Sequence, residues 1–260
     1  MDFDEATALA DFKARIAHYE STYETLQDGR TPWIKIIDAG RKVILHQISH
    51  PTLVKVAHLL MQLNLIPTTI WLTRHGQSIY NTQDRVGGDS DLSPNGRRYA
   101  SELSNFMEDI EIDAVWTSTL KRTIQTASRL GHPIQRWKIL DEIHAGHCDG
   151  LTYTEISEQH PDVSEGRKTD KLRFRYPQGE SYEDVIRRLE PVILSLEQRS
   201  KPTLVVAHQA ILRVIYGYFT NQRKEDVPHL NIPLHTVIKL TPQTYGCSEM
   251  QFGLPPYLDQ

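Results

Sequence analysis

Three times along this chain an apolar run ends on polar residues that could carry chemistry, twice leading straight into a helical pattern, and this repetition restricts the fold more than any other feature. Thr69-Ile70-Trp71-Leu72 leads into Thr73-Arg74-His75-Gly76; Val115-Trp116 leads into Thr117-Ser118-Thr119 and on to Arg122; Thr203-Leu204-Val205-Val206-Ala207 leads into His208-Gln209-Ala210. Short runs of this kind, each followed by a helix, read as buried strands of a parallel sheet, because a strand covered by helices on both faces has no polar side to turn to water. The expected class is α/β, a mostly parallel sheet with helices on both faces. The expected order is strand 69–73, a helix opened by Ser93-Pro94, strand 113–117, helix 119–130, a loop-rich excursion over 141–178, helix 181–199, strand 203–207, helix 209–219 and strand 235–241. Ser93 suits an N-cap with Pro94 at the first helical position, and Tyr99, Leu103, Phe106 and Ile110 fall on one face of that helix.

Parallel strands end along one sheet edge, so His75, Arg122 and His208 are expected to converge there. A histidine before a glycine is by itself an ordinary strand-to-loop residue, and a histidine after a β-branched strand an ordinary buried one. The repeated pattern favours function, with His75 as nucleophile beside the fixed cation Arg74. Thr117, Ser118 and Thr119 suit a helix N-cap with Arg122 in the first turn, and helix N-termini and arginine both attract phosphate. Asp141 and Glu142 are adjacent carboxylates, and either could hand over a proton.

The formal net charge is −4, so neither a nucleic acid nor an anionic membrane surface is an expected partner. Any anion must be held by a local cluster. Arg167, Lys168, Lys171, Arg173 and Arg175 lie within nine residues and read either as a solvated loop or as that cluster. His144-Ala145-Gly146-His147-Cys148 has ligand-type residues at close spacing, yet a structural zinc needs four ligands and no partner pair is evident, so no metal is expected. The 2 cysteines and an N-terminus without a basic then apolar leader point to a reduced, cytoplasmic protein. The apolar stretch 54–72 is broken by Lys55, His58, Gln62, Asn64 and Pro67 and cannot span a bilayer. Before it, Leu9, Phe12, Ile16 and Tyr19 give an amphipathic helix in the first twenty-five positions, 32–37 and 42–46 read as strands around a Gly40 turn, and 52–65 as another helix.

Longer strings carry a family resemblance. They are Ile70-Trp71-Leu72-Thr73-Arg74-His75-Gly76-Gln77-Ser78 with Asn81, Gly87-Gly88-Asp89-Ser90, Leu120-Lys121-Arg122-Thr123-Ile124-Gln125-Thr126-Ala127, Arg175-Tyr176-Pro177-Gln178-Gly179-Glu180-Ser181-Tyr182, and Pro233-Leu234-His235-Thr236-Val237. The chain resembles the histidine phosphatase superfamily, and more narrowly the bisphosphatase half of the 6-phosphofructo-2-kinase/fructose-2,6-bisphosphatases. The resemblance runs from about Phe12 to Cys247. It implies a phosphoglycerate mutase-like fold over 67–250, a remnant of the kinase half and its connector over 1–66, and a tail over 251–260. No Gly-x-x-x-x-Gly-Lys-Ser/Thr loop occurs, so kinase activity is not expected. The chain reads either as cut from a longer enzyme or as a member without a kinase half, and as a monomer in that state.

The resemblance also implies roles. His75 would take the 2-phosphoryl group of fructose 2,6-bisphosphate as phosphohistidine, with one ring nitrogen held by a backbone carbonyl, while Arg74, Arg122 and His208 surround the transferring oxygens. Asn81, otherwise a plain loop residue, would touch the same group, and Gly87, first of all a turn glycine, would bring backbone to substrate. Glu142 matches the family's proton donor. Arg167 and Lys171 would grip the 6-phosphate with Tyr153, Tyr182, Gln209 and Arg213, of which Gln209 and Arg213 are four apart on one helix face. No cofactor is implied. Gln77 stands where many relatives carry Glu, removing a charge expected beside the pocket. The alternatives are a broader sugar phosphatase or phosphoglycerate mutase, and an idle phosphosugar-binding regulatory module.

Overall fold

The computed structural model describes residues 5–26, 29, 31–37, 42–62, 68–243 and 246–257. The chain divides into two units, Met1–Leu63 and Asn64–Gln260. In the first, α1 (Glu5–Thr22) is followed by β1 (Trp33–Ile37), β2 (Lys42–His46) and α2 (Pro51–Gln62). The two strands pair antiparallel from Trp33 opposite His46 to Ile37 opposite Lys42, and the Trp33 and His46 rings stack at 5.1 Å. The apolar stripe expected on α1 stays in water: Phe12 is 54 % and Tyr19 68 % exposed. The Gly40 turn and the last residues of the helix expected to reach Leu65 lie outside the described residues.

The second unit runs β3 (Ile70–Arg74), α3 (Ile79–Thr82), α4 (Pro94–Met107), β4 (Ala114–Thr117), α5 (Lys121–Ala127), β5 (Ile134–Arg136), α6 (Tyr153–Gln159), α7 (Pro161–Thr169), α8 (Tyr182–Glu197), β6 (Thr203–Ala207), α9 (Gln209–Phe219), β7 (Thr236–Pro242) and β8 (Cys247–Gly253). The sheet order is β5-β4-β6-β3-β7-β8. The first four of these strands are parallel, and β7 and β8 antiparallel. Alternate strand residues go to opposite faces, as a period of two requires. Ile70, Leu72, Trp116, Val205 and Ala207 pack with Val185, Leu189, Ile211 and Ile215 of α8 and α9. Trp71, Val115, Leu204 and Val206 pack with Tyr99, Leu103 and Met107 of α4 and Ala127 of α5. Covered on both faces, the sheet has the mostly parallel α/β architecture that the three apolar runs predict.

Several elements differ from expectation. The loop-rich excursion over 141–178 also carries two short helices, α6 and α7. Residues 251–253, expected in a tail, belong to β8, so the sheet crosses the expected boundary at 250. The helix expected over 119–130 runs only from Lys121 to Ala127, and at its start Asp89 and Asp141, from distant loops, take the amides of Lys121 and Thr119. Leu120, not a Ser or Thr, occupies its cap position. Ser93 does cap α4, accepting from the Gly96 amide, and that helix closes at Met107, short of Ile110. No helix among the described residues is long and apolar enough to cross a membrane.

Candidate active site

β6 lies between β3 and β4, so the ends of the three strands meet at one sheet edge. Arg74 pairs with Ala207 in register, the His75 amide donates to the Ala207 carbonyl at 3.0 Å, and the His75 and His208 rings lie 5.1 Å apart. Both are buried, at 4 % and 0 % exposure. The His75 Nδ1 is 2.8 Å from the Gly76 carbonyl oxygen. A carbonyl only accepts, so Nδ1 carries the hydrogen and Nε2 keeps the lone pair. Burial first, then Arg122 and Arg74, hold the His75 pKa well below the usual imidazole range, so the ring is neutral. The next residue is pinned as well: the Gly76 amide donates to Thr126 Oγ1 at 2.9 Å, and a Cβ at position 76 would collide with the Gly96 backbone. Position 76 must be glycine for the loop to lie against the start of α4.

Arg74, Asn81, Gly87 and Arg122 line the same cavity as His75, which has a volume of about 210 Å³. Arg74 donates to the Ile232 carbonyl at 3.0 Å and Arg122 to that of Gly88 at 2.6 Å, so a backbone carbonyl anchors each guanidinium in advance. Burial lowers the Arg74 pKa to about 10, opposed by Glu142 and reinforced by Arg213 and Arg122. It remains charged at neutral pH. Asn81 spends its Oδ1 on the Ser78 amide and hydroxyl, capping α3, which leaves its amide NH₂ for the cavity. Gly87 has φ of +69°, and a Cβ there would strike the Asp149 carboxylate. His208 Nε2 is 2.8 Å from Ser118 Oγ, while its buried Nδ1 has no partner among the described residues. An orphaned polar atom in such a place calls for a ligand.

Asp141 and Glu142 part company. Asp141 accepts from the Thr119 amide at 2.8 Å and from its hydroxyl, tying the β4–α5 loop down. Glu142 lines the cavity, its Oε1 accepting from the Ile143 amide at 2.9 Å and the Ala210 amide at 3.2 Å. Arg188 holds the segment that carries both, donating to the carbonyls of Ile139 and Asp141 and pairing with Glu180 at 2.8 Å.

The basic run also divides. Arg167 and Lys171, at the end of α7 and just beyond it, line the cavity with Tyr153, Tyr182, Gln209 and Arg213. Lys168 is exposed, and Arg173 and Arg175 pair at the surface with Asp170 and Asp184. Arg167 lies over the Tyr153 ring at 5.4 Å and the Tyr176 ring at 6.0 Å. Arg213 donates to the Leu230 carbonyl and to the Tyr182 hydroxyl, the latter at 3.0 Å. Lys171 Nζ donates to the Pro228 carbonyl at 2.8 Å. Burial, then Arg213 and Arg167, push its pKa down to about 8. Three cations held this close need an anion between them.

The Gln77 side chain, expected beside the pocket, is turned to the start of α4 instead. Gln77 Oε1 accepts from the Ser93 hydroxyl at 2.8 Å, and Gln77 is not among the cavity residues. His147 and Cys148 sit in a short helical turn, with Cys148 packed against Ala145, Ile156, Val163 and Tyr176. Arg85 lines the cavity and was not singled out from sequence; it bonds the Gly150 carbonyl and pairs with Glu155 at 3.4 Å, contacts that no spacing rule announces.

Comparison with known proteins agrees with this geometry. Residues 70–253 match the histidine phosphatase superfamily (branch 1), and residues 1–67 match 6-phosphofructo-2-kinase. The chain is 46 % identical over 251 residues to human 6-phosphofructo-2-kinase/fructose-2,6-bisphosphatase 4, and 45 % over 252 residues to the mouse protein numbered 1. In both cases 95 % of this chain and 53 % of the relative are covered, so the chain spans about half the length of the curated relatives it matches. Among solved structures, a mycobacterial glucosyl-3-phosphoglycerate phosphatase superposes with a TM-score of 0.62 at 23 % identity, covering 72 % of this chain and 98 % of that one. An alpha-ribazole phosphatase from Shigella flexneri gives 0.64 at 21 %, covering 70 % and 94 %. At these identities the structures speak for the fold alone. The match over 70–253 takes in every strand of the six-stranded sheet and the residues gathered at its edge, and the chain belongs to the histidine phosphatase superfamily, branch 1.

Proposed function

We propose that this chain hydrolyses the 2-phosphate of fructose 2,6-bisphosphate, giving fructose 6-phosphate and inorganic phosphate. The observation that carries the reading is one cavity lined both by a neutral, tautomer-fixed His75 with Arg74 and Arg122, His208 lying behind it at 5.1 Å, and by a second cationic group of Arg167, Lys171 and Arg213. A monophosphate would leave one of these groups uncompensated. The bisphosphatase names of the relatives support the same substrate.

In this mechanism the His75 Nε2 lone pair attacks phosphorus and the bond from phosphorus to the C2 oxygen breaks. Arg74, Arg122 and the free His208 nitrogen stabilise the equatorial oxygens, and Glu142 gives its proton to the leaving oxygen. Water then attacks the phosphohistidine and returns a proton to Glu142, and phosphate departs. Asn81 and the backbone at Gly87 contact the reacting end; Tyr153, Tyr182 and Gln209 join the three cations around the 6-phosphate. The reaction is assigned to the cytoplasm, supported by Cys148 and Cys247 being free thiols.

The direct test is to supply substrate labelled in the 2-phosphate and look for label on His75, which is expected, with 3-phosphoglycerate as the comparison. Mutase turnover of the phosphoglycerate without attack on the bisphosphate would replace this reading.

Lys171→Ala is expected to raise KM for the bisphosphate roughly ten- to a hundredfold, the worth of one charged hydrogen bond, and to do much less for a monophosphate ester. A base is charged below its pKa, so with Lys171 at about 8 the grip on the second phosphate should weaken as pH rises from 7 to 9. Lys171→Arg, which keeps its charge through that window, should flatten the rise in KM. Equal losses on both substrates would mean that Lys171 serves the fold or the reacting phosphate instead.

A further inference from the structure

His235 takes no part in the mechanism above, and it does not line the cavity. It is nonetheless 2 % exposed, with φ of +54°, a backbone conformation that a residue with a side chain keeps only where its surroundings require it. Its ring lies flat on Tyr99, with centroids 4.5 Å apart and planes 5° from parallel. The Tyr99 hydroxyl is bonded in turn to Thr73, two residues before the nucleophile.

Both ring nitrogens are committed, and their partners fix which one carries the hydrogen. Nδ1 is 2.7 Å from the Pro256 carbonyl oxygen, which can only accept, so Nδ1 is the donor. Nε2 is 3.0 Å from the Gln77 amide nitrogen, which can only donate, so Nε2 is the acceptor. Burial, with Arg74 adding to it, keeps the His235 pKa below the ordinary value and so preserves that acceptor. The backbone agrees: the Leu254 amide donates to the His235 carbonyl at 2.8 Å, tying the residue to the segment after β8 a second time.

The Gln77 N–H belongs to the same peptide group as the Gly76 C=O, and that carbonyl accepts the His75 Nδ1 hydrogen at 2.8 Å. One planar amide is thus held at its N–H end by His235 and at its C=O end by the nucleophile. A bond to the N–H both fixes the plane and polarises the carbonyl as an acceptor. We infer that His235 is a positioning residue for phosphoryl transfer: through the Gly76–Gln77 peptide it holds His75 in the Nδ1–H tautomer with Nε2 free to attack, and the Leu254–Pro256 segment holds His235 in turn. The inference rests on His75 being the nucleophile of the proposed reaction.

The test uses the full chain with ¹⁵N-labelled histidine and glutamine. In the unaltered protein, His235 and His75 should both appear as Nδ1–H tautomers, and a coupling should be seen across the hydrogen bond between Gln77 nitrogen and His235 Nε2. A His235 protonated on Nε2 would overturn the inference without any variant. His235→Phe keeps a ring on Tyr99 and removes the acceptor. It should lower kcat roughly tenfold, equivalent to about 1.4 kcal/mol in the barrier, leave KM within about twofold, and turn the His75 signals into a mixture of tautomers. His235→Gln, whose side-chain oxygen can accept from the Gln77 amide, should recover most of kcat. Reduced thermal stability in His235→Phe with kcat and the His75 signals unchanged would make His235 a packing residue only. An unaltered protein that does not turn over fructose 2,6-bisphosphate would sink the proposed substrate, while the imidazole signals still decide the positioning.

Discussion

His75→Ala is expected to abolish phosphoenzyme formation and to lower kcat by about 10⁴- to 10⁶-fold, the scale on which loss of a nucleophile registers. Binding of fructose 2,6-bisphosphate should survive, because nothing that grips the phosphates leans on His75. Arg74 is held by the Ile232 carbonyl, Arg122 by that of Gly88, Lys171 by that of Pro228 and Arg213 by that of Leu230. The imidazole itself is neutral and contributes little attraction for an anion in the ground state. Rapid-quench trapping with label in the 2-phosphate and calorimetric titration of the variant separate the two effects. Turnover near that of the unaltered protein would remove His75 from the chemistry; loss of binding together with turnover would make the histidine part of the pocket's framework.

What could be read from the sequence follows from where free energy is concentrated along the chain. β3, β4 and β6 lose nearly all contact with water, so their sequences must be continuously apolar, and they stand out. β8 is an edge strand, four of its seven residues exposed in a row, and with no alternation to mark it the segment reads as a tail. α6 and α7 bury only Ile156 and Val163, so no stripe announces them, although Thr152 and Glu155 form a capping box whose spacing was there to be read. The site divides in the same way. Residues on strand ends or on α9 inherit their placement from the elements that carry them. The choice between Asp141 and Glu142 depends on which amides each carboxylate meets, that of Thr119 or that of Ala210 at the start of α9, and neighbours in a loop leave no pattern for that. His235 was invisible as a positioning group because its role requires a positive φ and a carbonyl twenty-one residues away.

Glu142→Gln should cost about 10²- to 10⁴-fold in kcat on fructose 2,6-bisphosphate, the usual worth of a positioned acid, with little change in binding. The amide keeps the volume and can still accept from the Ile143 and Ala210 amides through its oxygen, so the geometry of the segment should persist. What disappears is a transferable proton at the second oxygen. The loss should therefore scale with how badly the leaving group needs that proton: large for a sugar oxygen, small for an aryl phosphate whose phenolate departs unaided. Asp141→Asn provides the contrast. It keeps an oxygen able to accept from Thr119 but weakens two bonds to the loop before α5, so a loss of about tenfold or less, equal on both substrates, is expected. Steady-state rates for the two variants on the two esters form a four-way comparison. If Asp141→Asn shows the large, leaving-group-dependent loss and Glu142→Gln does not, the proton donor is one residue away from the position argued for it, and Glu142 would be a brace for the start of α9.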